Sequence, residues 1–394
     1  MGHEVTVFEQ RKQLGGMLRY GIPSFKLEKD VIDAEIDIIK AMGVEIKCGI
    51  EVGKDVTLDE LRAQGYKAFY IAIGCQGGRK AGIPGEDAEG VMTAVDFLRT
   101  VGADESYPVT GKAVVVGGGN VAIDVARTAQ RCGAESVAMF CLEPRDKMPA
   151  SEEEIAEALE EDVTIDWGPK EILTENGRVT GIVFKRCVSV WDKDGKFAPA
   201  YDENDTKTVP CDRVFLSIGQ SILWGDLLKG SKVELGRGNG AVADSLTYQT
   251  AEPDIFVGGD VYTGPKFAID AIAAGREGAI SIHRFVQPHS SLTIGRNRRE
   301  FIALDKDNIK VEQYDNASRQ IPGTRKDVDH KKSFRDAKLP FTEEQVKAET
   351  ARCLGCGASV VDPNKCIGCG VCTTKCEFGA IKLHRERPEC SNMI

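Results

Sequence analysis

KAVVVGGGNVAIDVARTAQRCGAESVAMFCLE, Lys112–Glu143, is the stretch whose reading decides the fold. Lys112–Val116 reads as a strand. Gly117, Gly119 and Ala122 then supply G-x-G-x-x-A, and Val121–Arg131 continues as a helix. The first glycine allows a tight turn and the second lets a pyrophosphate approach the backbone. The small third residue lets helix pack on strand. Asn120 and Val121 open the helix, whose free N–H groups face an anion. A lone G-x-G-x-x-A is weak, since plain glycine turns occur throughout α/β domains. Here a second strand, Ser136–Leu142, follows and ends at Glu143, the context a dinucleotide site requires.

Glu143 suits a free ribose 2′-hydroxyl and repels a 2′-phosphate, which favours NAD over NADP. Arg145 and Lys147 lie just beyond and offer charge to a phosphate, so NADP stays open. The chain's first residues, MGHEVTVFEQ, repeat part of the same logic. Val5–Phe8 alternates and runs into Glu9, like a second dinucleotide-site strand ending on an acid that accepts from a ribose. A glycine loop should precede such an acid by about 20 residues. The expectation is that this loop, with its strand and helix, belongs upstream of Met1 or comes from another chain. Leu27–Met42 has helical apolar spacing, and YKAFYIAIG, Tyr66–Gly74, suits a buried parallel strand. From about residue 287 to 345 the chain is charged and aperiodic, as a linker or wrapping arm.

At 394 residues the chain has room for two to three domains. A net charge of −10 argues against a nucleic-acid partner. No apolar run approaches membrane length and no signal peptide is visible, so a soluble, cytoplasmic protein without membrane insertion is expected. Of the 13 cysteines, Cys48, Cys75, Cys132, Cys141, Cys187 and Cys211 are scattered and form no CxxC pair, which argues against a disulfide reductase. The rest crowd the end. CIGCGVCTTKC places Cys366, Cys369, Cys372 and Cys376 at C-x2-C-x2-C-x3-C, the bacterial-ferredoxin run for a [4Fe–4S] cluster. Glu377 replaces the usual proline. Cys353 and Cys356 offer a partial second set, and Cys390 is either a further ligand or a free thiol. Two clusters need eight ligands, and seven cysteines are there. A zinc ribbon on Cys353, Cys356, Cys366 and Cys369 is the rival, but it leaves Cys372 and Cys376 unexplained.

Three further stretches carry a resemblance: LGGMLRYGIPSFKL (14–27), IAIGCQGGRKAGIPGED (71–87) and TAEPDIFVGGDVYTGPKFAIDAIAAGREGA (250–279). In this order, around an inserted dinucleotide unit, they resemble the small subunit of glutamate synthase and its relatives. These include the flavoprotein halves of electron-bifurcating transhydrogenases and dihydropyrimidine dehydrogenase. The resemblance covers residues 1 to about 290. It implies an α/β fold with two Rossmann-like domains, an NAD(P) domain inserted in a split FAD domain, followed by a small ferredoxin-like tail. The implied boundaries are 1–107 and 245–290 for FAD, 108–244 for NAD(P), 291–345 for the linker and 346–394 for the 4Fe–4S domain.

By the same resemblance Glu9 meets the FAD ribose. Gly15, Gly16, Leu18, Tyr20, Ile22 and Pro23 line the flavin. Ala72, Ile73 and Gly74 approach FAD from a strand end, and Gly259 and Asp260 reach the ribityl–phosphate chain. The helix starting near Phe267 faces the isoalloxazine. Asp260 has the alternative of a turn residue bonding its own backbone. Gly219 joins the cofactor-binding set. Lys266 stands either near the flavin edge, where its charge would stabilise a reduced anionic flavin, or on an exposed turn. Trp167 and Trp224 read as packing residues. Paired arginines, which NADP-binding members carry after the second strand of the inserted unit, give way here to Leu142 and Glu143. Met148-Pro149-Ala150 and the acidic stretch after it match the family.

The expected activity is a flavin-dependent NAD(P)H oxidoreductase that passes hydride to FAD and single electrons to iron–sulfur. No general base is called for, because orientation and tuning are the protein's share. A redox partner or other subunits of a complex would take or supply electrons. The alternatives are a stand-alone flavin reductase of a small acceptor, and an iron–sulfur subunit that has lost FAD.

Overall fold

The computed structural model describes residues 1–144, 147–152, 154–156, 164–165, 167–294, 296, 317–329, 331–353, 368–375 and 381. The chain divides into two compact units. The first holds Met1–Ile302 and Thr324–Leu339, the second Ala303–Gly323 and Pro340–Ile394.

The first unit begins with strand β1 (Thr6–Glu9), a short helix α1 (Gly16–Tyr20), helix α2 (Lys29–Ala41) and strand β2 (Glu45–Cys48). β1 and β2 pair in parallel, Thr6 opposite Glu45 and Glu9 opposite Cys48. Helix α3 (Leu58–Ala63) opens on a capping box in which Thr57 and Glu60 satisfy each other's backbone N–H. Strand β3 (Phe69–Ile71) follows, within the run read as a buried strand. After the two-residue β4 (Gly77–Gly78) come β5 (Val91–Thr93) and helix α4 (Ala94–Ala103).

The stretch that opened the sequence reading folds as β6 (Lys112–Val116), α5 (Asn120–Arg131) and β7 (Ser136–Phe140). β8 (Thr164–Ile165), β9 (Gly168–Glu175), β10 (Arg178–Trp191), β11 (Phe197–Pro210), β12 (Arg213–Leu216) and β13 (Gln220–Ser221) continue. A parallel five-stranded sheet has the order β5-β12-β6-β7-β8. It therefore recruits Val91–Thr93, ahead of residue 108. Continuous Val, Ile and Phe runs make these strands, because a parallel sheet is covered on both faces. Val114, Val115, Val116, Val214, Phe215 and Leu216 are buried to within 2 %. β9, β10 and β11 form a separate antiparallel sheet whose long β10–β11 ribbon is bulged near Cys187, Ser189 and Trp191.

The chain then returns with β14 (Ile255–Val257), the four-residue helix α6 (Asp260–Thr263) and the long helix α7 (Ala268–Phe285). β14 pairs in parallel with β3, Ile255 opposite Phe69. Two segments far apart in the chain are thus joined in space, and Ile255, Phe256 and Val257 are fully buried. Among the described residues, β1–β2 and β3–β14 are two separate parallel pairs. Residues 324–339, in the region read as a linker, pack on the first unit. The Phe334 ring lies 6.3 Å from Phe25, and Arg131 Nε donates to the Ser333 carbonyl at 3.0 Å.

Within the second unit, helix α8 (Glu343–Ala351) is capped by Thr342 and Gln345, and a short helix α9 (Val371–Lys375) carries Cys372. No described helix is long and apolar enough to cross a membrane.

Candidate functional site

The β6–α5 turn is built by three small residues with three different tasks. Gly117 has φ +143°, and a Cβ there would sit 2.2 Å from the Ser217 carbonyl oxygen, so β6 and the end of β12 approach at bare-backbone distance. At Gly119 a Cβ would meet no atom within 4 Å. That residue faces open space directly before the first turn of α5. Ala122 is fully buried where the helix packs on the sheet. Asn120 is committed, since its Oδ1 accepts from Ser151 N at 3.0 Å and so pins the segment after Met148-Pro149-Ala150. Glu143 sits beyond β7 with its carboxylate toward the turn: Oε2 would be 3.3 Å from a Cβ at Gly118.

Gly117–Val121 and Glu143 line one cavity of about 590 Å³. Gly117–Val121 forms its floor, Glu143 one end, and Gly219, Gln220 and Pro265 stand at other points of its wall. Pro265 belongs to the turn between α6 and α7, so the dinucleotide turn and the turn that follows Gly259 and Asp260 open into the same space. The cradle fits a pyridine dinucleotide: an open glycine, a helix N-terminus and an acid at the ribose position. Lys147 lines the adjoining space beyond Glu143, while Arg145 lies outside the described residues.

The residues expected around a flavin come from four segments. Glu9 closes β1, and its Oε1 accepts from Arg11 N at 2.8 Å. Gly15 and Gly16 have φ +114° and +49°, a region glycine enters without penalty. Leu18 is exposed and Pro23 buried. Tyr20 lies under the Arg11 guanidinium at 5.0 Å and donates to Gln13 O. Lys29 Nζ donates to Ile22 O at 2.5 Å and Leu18 O at 3.3 Å, fixing the bend between them. Burial, with Arg19 nearby, pulls Lys29 down to about 8. Ala72, Ile73 and Gly74 follow β3, Gly74 at φ +67°.

Gly16 and Gly74 converge on one side chain that sequence reasoning passed over. A Cβ at either would lie 3.9 or 3.8 Å from Gln76 Nε2. Gln76 Oε1 is buried and bonded to nothing among the described residues. Such an orphaned acceptor costs free energy unless a donor arrives. A flavin ring carries N–H and C=O groups on one edge, so this corner fits it. Arg99 stands behind, donating to the Gln76 carbonyl. Desolvation lowers its pKa, and the charge of Arg11 adds to that. The only sequence signal for Gln76 was its place two residues beyond Gly74.

Gly259 has φ +68° and ψ −152°, which only glycine adopts readily, and it starts α6. Asp260 Oδ1 accepts from Lys266 N at 3.2 Å, the local turn bond that was its alternative reading. Burial raises its pKa. The Lys266 side chain is exposed. α7 begins one residue after Phe267, which is 75 % exposed, and Ile269 and Ile272 beside it are equally open. Trp224 is a core residue, its Nε1 donating to Asn239 O at 2.8 Å.

Cys48, Cys75, Cys132, Cys187 and Cys211, like Cys353, Cys369 and Cys372, form no disulfide among the described residues. Burial pushes Cys75 up to about 11 and Cys132 and Cys211 up to about 12, so these remain thiols at neutral pH. In the second unit Cys353, Cys369 and Cys372 are exposed. Gly368 and Gly370 have φ +65° and +77°, which lets the chain turn tightly on either side of Cys369. Thiolates at this spacing on such a loop fit an iron–sulfur cube. Cys356, Cys366 and Cys376 lie outside the described residues.

Comparison with known proteins agrees with this geometry. Residues 1–275 match the pyridine nucleotide-disulphide oxidoreductase family, and residues 359–382 match the 4Fe-4S binding domain. The chain is 34 % identical to the NADP(+)-dependent formate dehydrogenase subunit beta of Moorella thermoacetica, over 90 % of this chain and 51 % of that protein. It is 35 % identical to the NAD-dependent dihydropyrimidine dehydrogenase subunit PreT of Escherichia coli O157:H7, over 73 % of this chain and 63 % of that one. With the glutamate synthase [NADPH] small chain of Escherichia coli K12 it shares 33 %, over 73 % and 64 %. It thus spans between half and two-thirds of these curated relatives. Among solved structures, FprA of Mycobacterium tuberculosis in complex with NADPH superposes with a TM-score of 0.60 at 18 % identity, over 72 % of this chain and 77 % of that one. Such a likeness speaks to the fold. The family implies FAD and a pyridine nucleotide, the 4Fe-4S domain a cluster, and the donor sets above suit all three. Matched through most of its length, the chain belongs to the pyridine nucleotide-disulphide oxidoreductase family.

Proposed function

We propose that this chain is a flavin-dependent NAD(P)H oxidoreductase that exchanges electrons between a pyridine nucleotide and iron–sulfur, as an electron-transfer module of a larger assembly. The carrying observation is the single cavity shared by Gly117–Val121 and Pro265. When bound, FAD supplies the conversion between hydride chemistry and single-electron chemistry. The chain's own residues bind and orient. Gly119 and the N-terminus of α5 receive the pyrophosphate, and Glu143 the adenosine ribose. Gln76 and the bend held by Lys29 position the flavin. Gly259 and Asp260 bound its phosphate side. Cys366, Cys369, Cys372 and Cys376 hold one [4Fe–4S] cluster, and Cys353 and Cys356 are candidates for a second. Unpaired, high-pKa Cys75 supports electron exit through iron–sulfur rather than through a disulfide. Unpaired thiols also support a reducing, cytoplasmic setting. The relatives named as subunits support a multi-subunit partner set.

FAD, iron and sulfide quantified in the purified protein test this reading. One FAD with four or more irons per chain is expected. Zinc without iron, or iron without flavin, contradicts it, and the latter supports a subunit that has lost FAD.

A further inference from the structure

A second cavity, of about 530 Å³, adjoins the first. Both are lined by Cys141, Leu142, Glu143 and Trp167, so one space continues into the other at the end of β7. The outer wall comes from β10, which contributes Arg186 and Trp191, while Lys147 stands on the β7 side. Two cation–aromatic pairs face this space. Arg186 Cζ is 5.6 Å from the Trp167 ring centre and Lys147 Nζ is 5.9 Å from that of Trp191. Trp167 is held at φ +68°, a genuine outlier for a bulky residue that persists only where surroundings impose it.

We propose that this second cavity is the adenosine end of the dinucleotide site, and that Arg186 with Lys147 reads a 2′-phosphate there, so that the chain accepts NADPH as well as NADH. The proposal rests on reading the first cavity as the dinucleotide site. Glu143 alone selects the free ribose hydroxyl. Lys147 and Arg186 set two positive charges against that one negative charge. Arg186 already touches Asp205 at 3.3 Å, with Arg186 61 % exposed. That is a long surface pair of little strength, and it occupies one of five donors. A guanidinium offers a planar fork that matches phosphate oxygens, which an ammonium does not. An adenine ring has an aromatic face that the Trp167 indole can stack on, leaving Arg186 to the phosphate. The ribbon thus closes a site that the β6–α5–β7 unit leaves open on one side.

The test uses fragments that lack nicotinamide, so no electron transfer enters. ADP-ribose and 2′-phospho-ADP-ribose are titrated calorimetrically into the purified, cofactor-loaded chain and into Arg186→Gln. The phosphorylated fragment should bind the parent protein at least as tightly as ADP-ribose. Arg186→Gln should weaken it about tenfold, the loss of one charge-assisted pair, and leave ADP-ribose within about twofold. The selective loss should shrink at high salt. If ADP-ribose binds while the phosphorylated fragment is tenfold weaker, or if Arg186→Gln affects both or neither, the proposal is wrong and the dinucleotide site stands. If neither fragment binds, the dinucleotide reading fails as well. Trp167→Ala, which should weaken both fragments, separates loss of the stacking wall from loss of the phosphate contact.

Discussion

Gly258 shows how a site glycine can serve the core. A Cβ there would lie 1.9 Å from Tyr70 Oη, and a Cβ at Gly278 2.2 Å from the same ring. Tyr70 therefore fills the space between β14 and α7, and its hydroxyl is buried without a partner among the described residues. Gly258→Ala should destabilise the protein by about 1–3 kcal/mol through overpacking. Adding Tyr70→Phe should recover part of that loss, because the hydroxyl is the atom struck first. A thermal melt of the parent protein and the two variants decides; no recovery in the double variant would place the clash elsewhere. Asp124 gives a second residue-scale test. On α5, it sits with Glu154 against Lys26 Nζ, an ionic contact rather than a well-directed hydrogen bond to Asp124. Burial outweighs Lys26 and raises Asp124 to about 6. An acid raised above its unfolded value near 4 makes the folded chain hold more protons between those two pH values. Its cost is then absent below the window and complete above it, about 3 kcal/mol. Asp124→Asn should therefore gain stability relative to the parent protein as pH rises from about 4 to about 7. A variant that loses ground over that range would contradict the assignment.

At the level of elements, the two parallel strand pairs β3–β14 and β1–β2 differ in protection. Ile255–Val257 is fully buried beside Phe69–Ile71, whereas Val7 and Val5 are exposed on and before β1. Local opening is governed by burial. Amide exchange should thus be much slower through Ile255–Val257 than through Thr6–Glu9. Equal rates would mean that the β1–β2 pair is covered in solution. The elements legible in the sequence were those with local signals: Lys112–Val116, the glycine turn and α5, and the apolar run that holds β3. Their spacing is set by backbone chemistry within a few residues. The role of the β10–β11 ribbon was not legible, because Arg186 and Trp191 reach Glu143 and Lys147 only after long strands fold back. Nothing at Trp167 marks a left-handed residue, and it read as packing. The Lys26–Asp124–Glu154 cluster joins segments far apart in sequence, with no periodicity to announce it.

For the whole molecule, the claim with most consequence is that the nucleotide turn at 117–122 and the turn from Gly259 to Pro265 share a cavity. The relatives named above differ in the nicotinamide they carry in their names, NAD in one and NADP(H) in the others. The most direct measurement is an anaerobic titration of the FAD-loaded chain with NADH and NADPH in separate cuvettes, following the flavin absorption band. The account predicts that the band bleaches with one equivalent of either nucleotide, and that Gly119→Val slows the bleaching without lowering FAD content. A protein that holds FAD and binds the nucleotides yet keeps its flavin oxidised would contradict it.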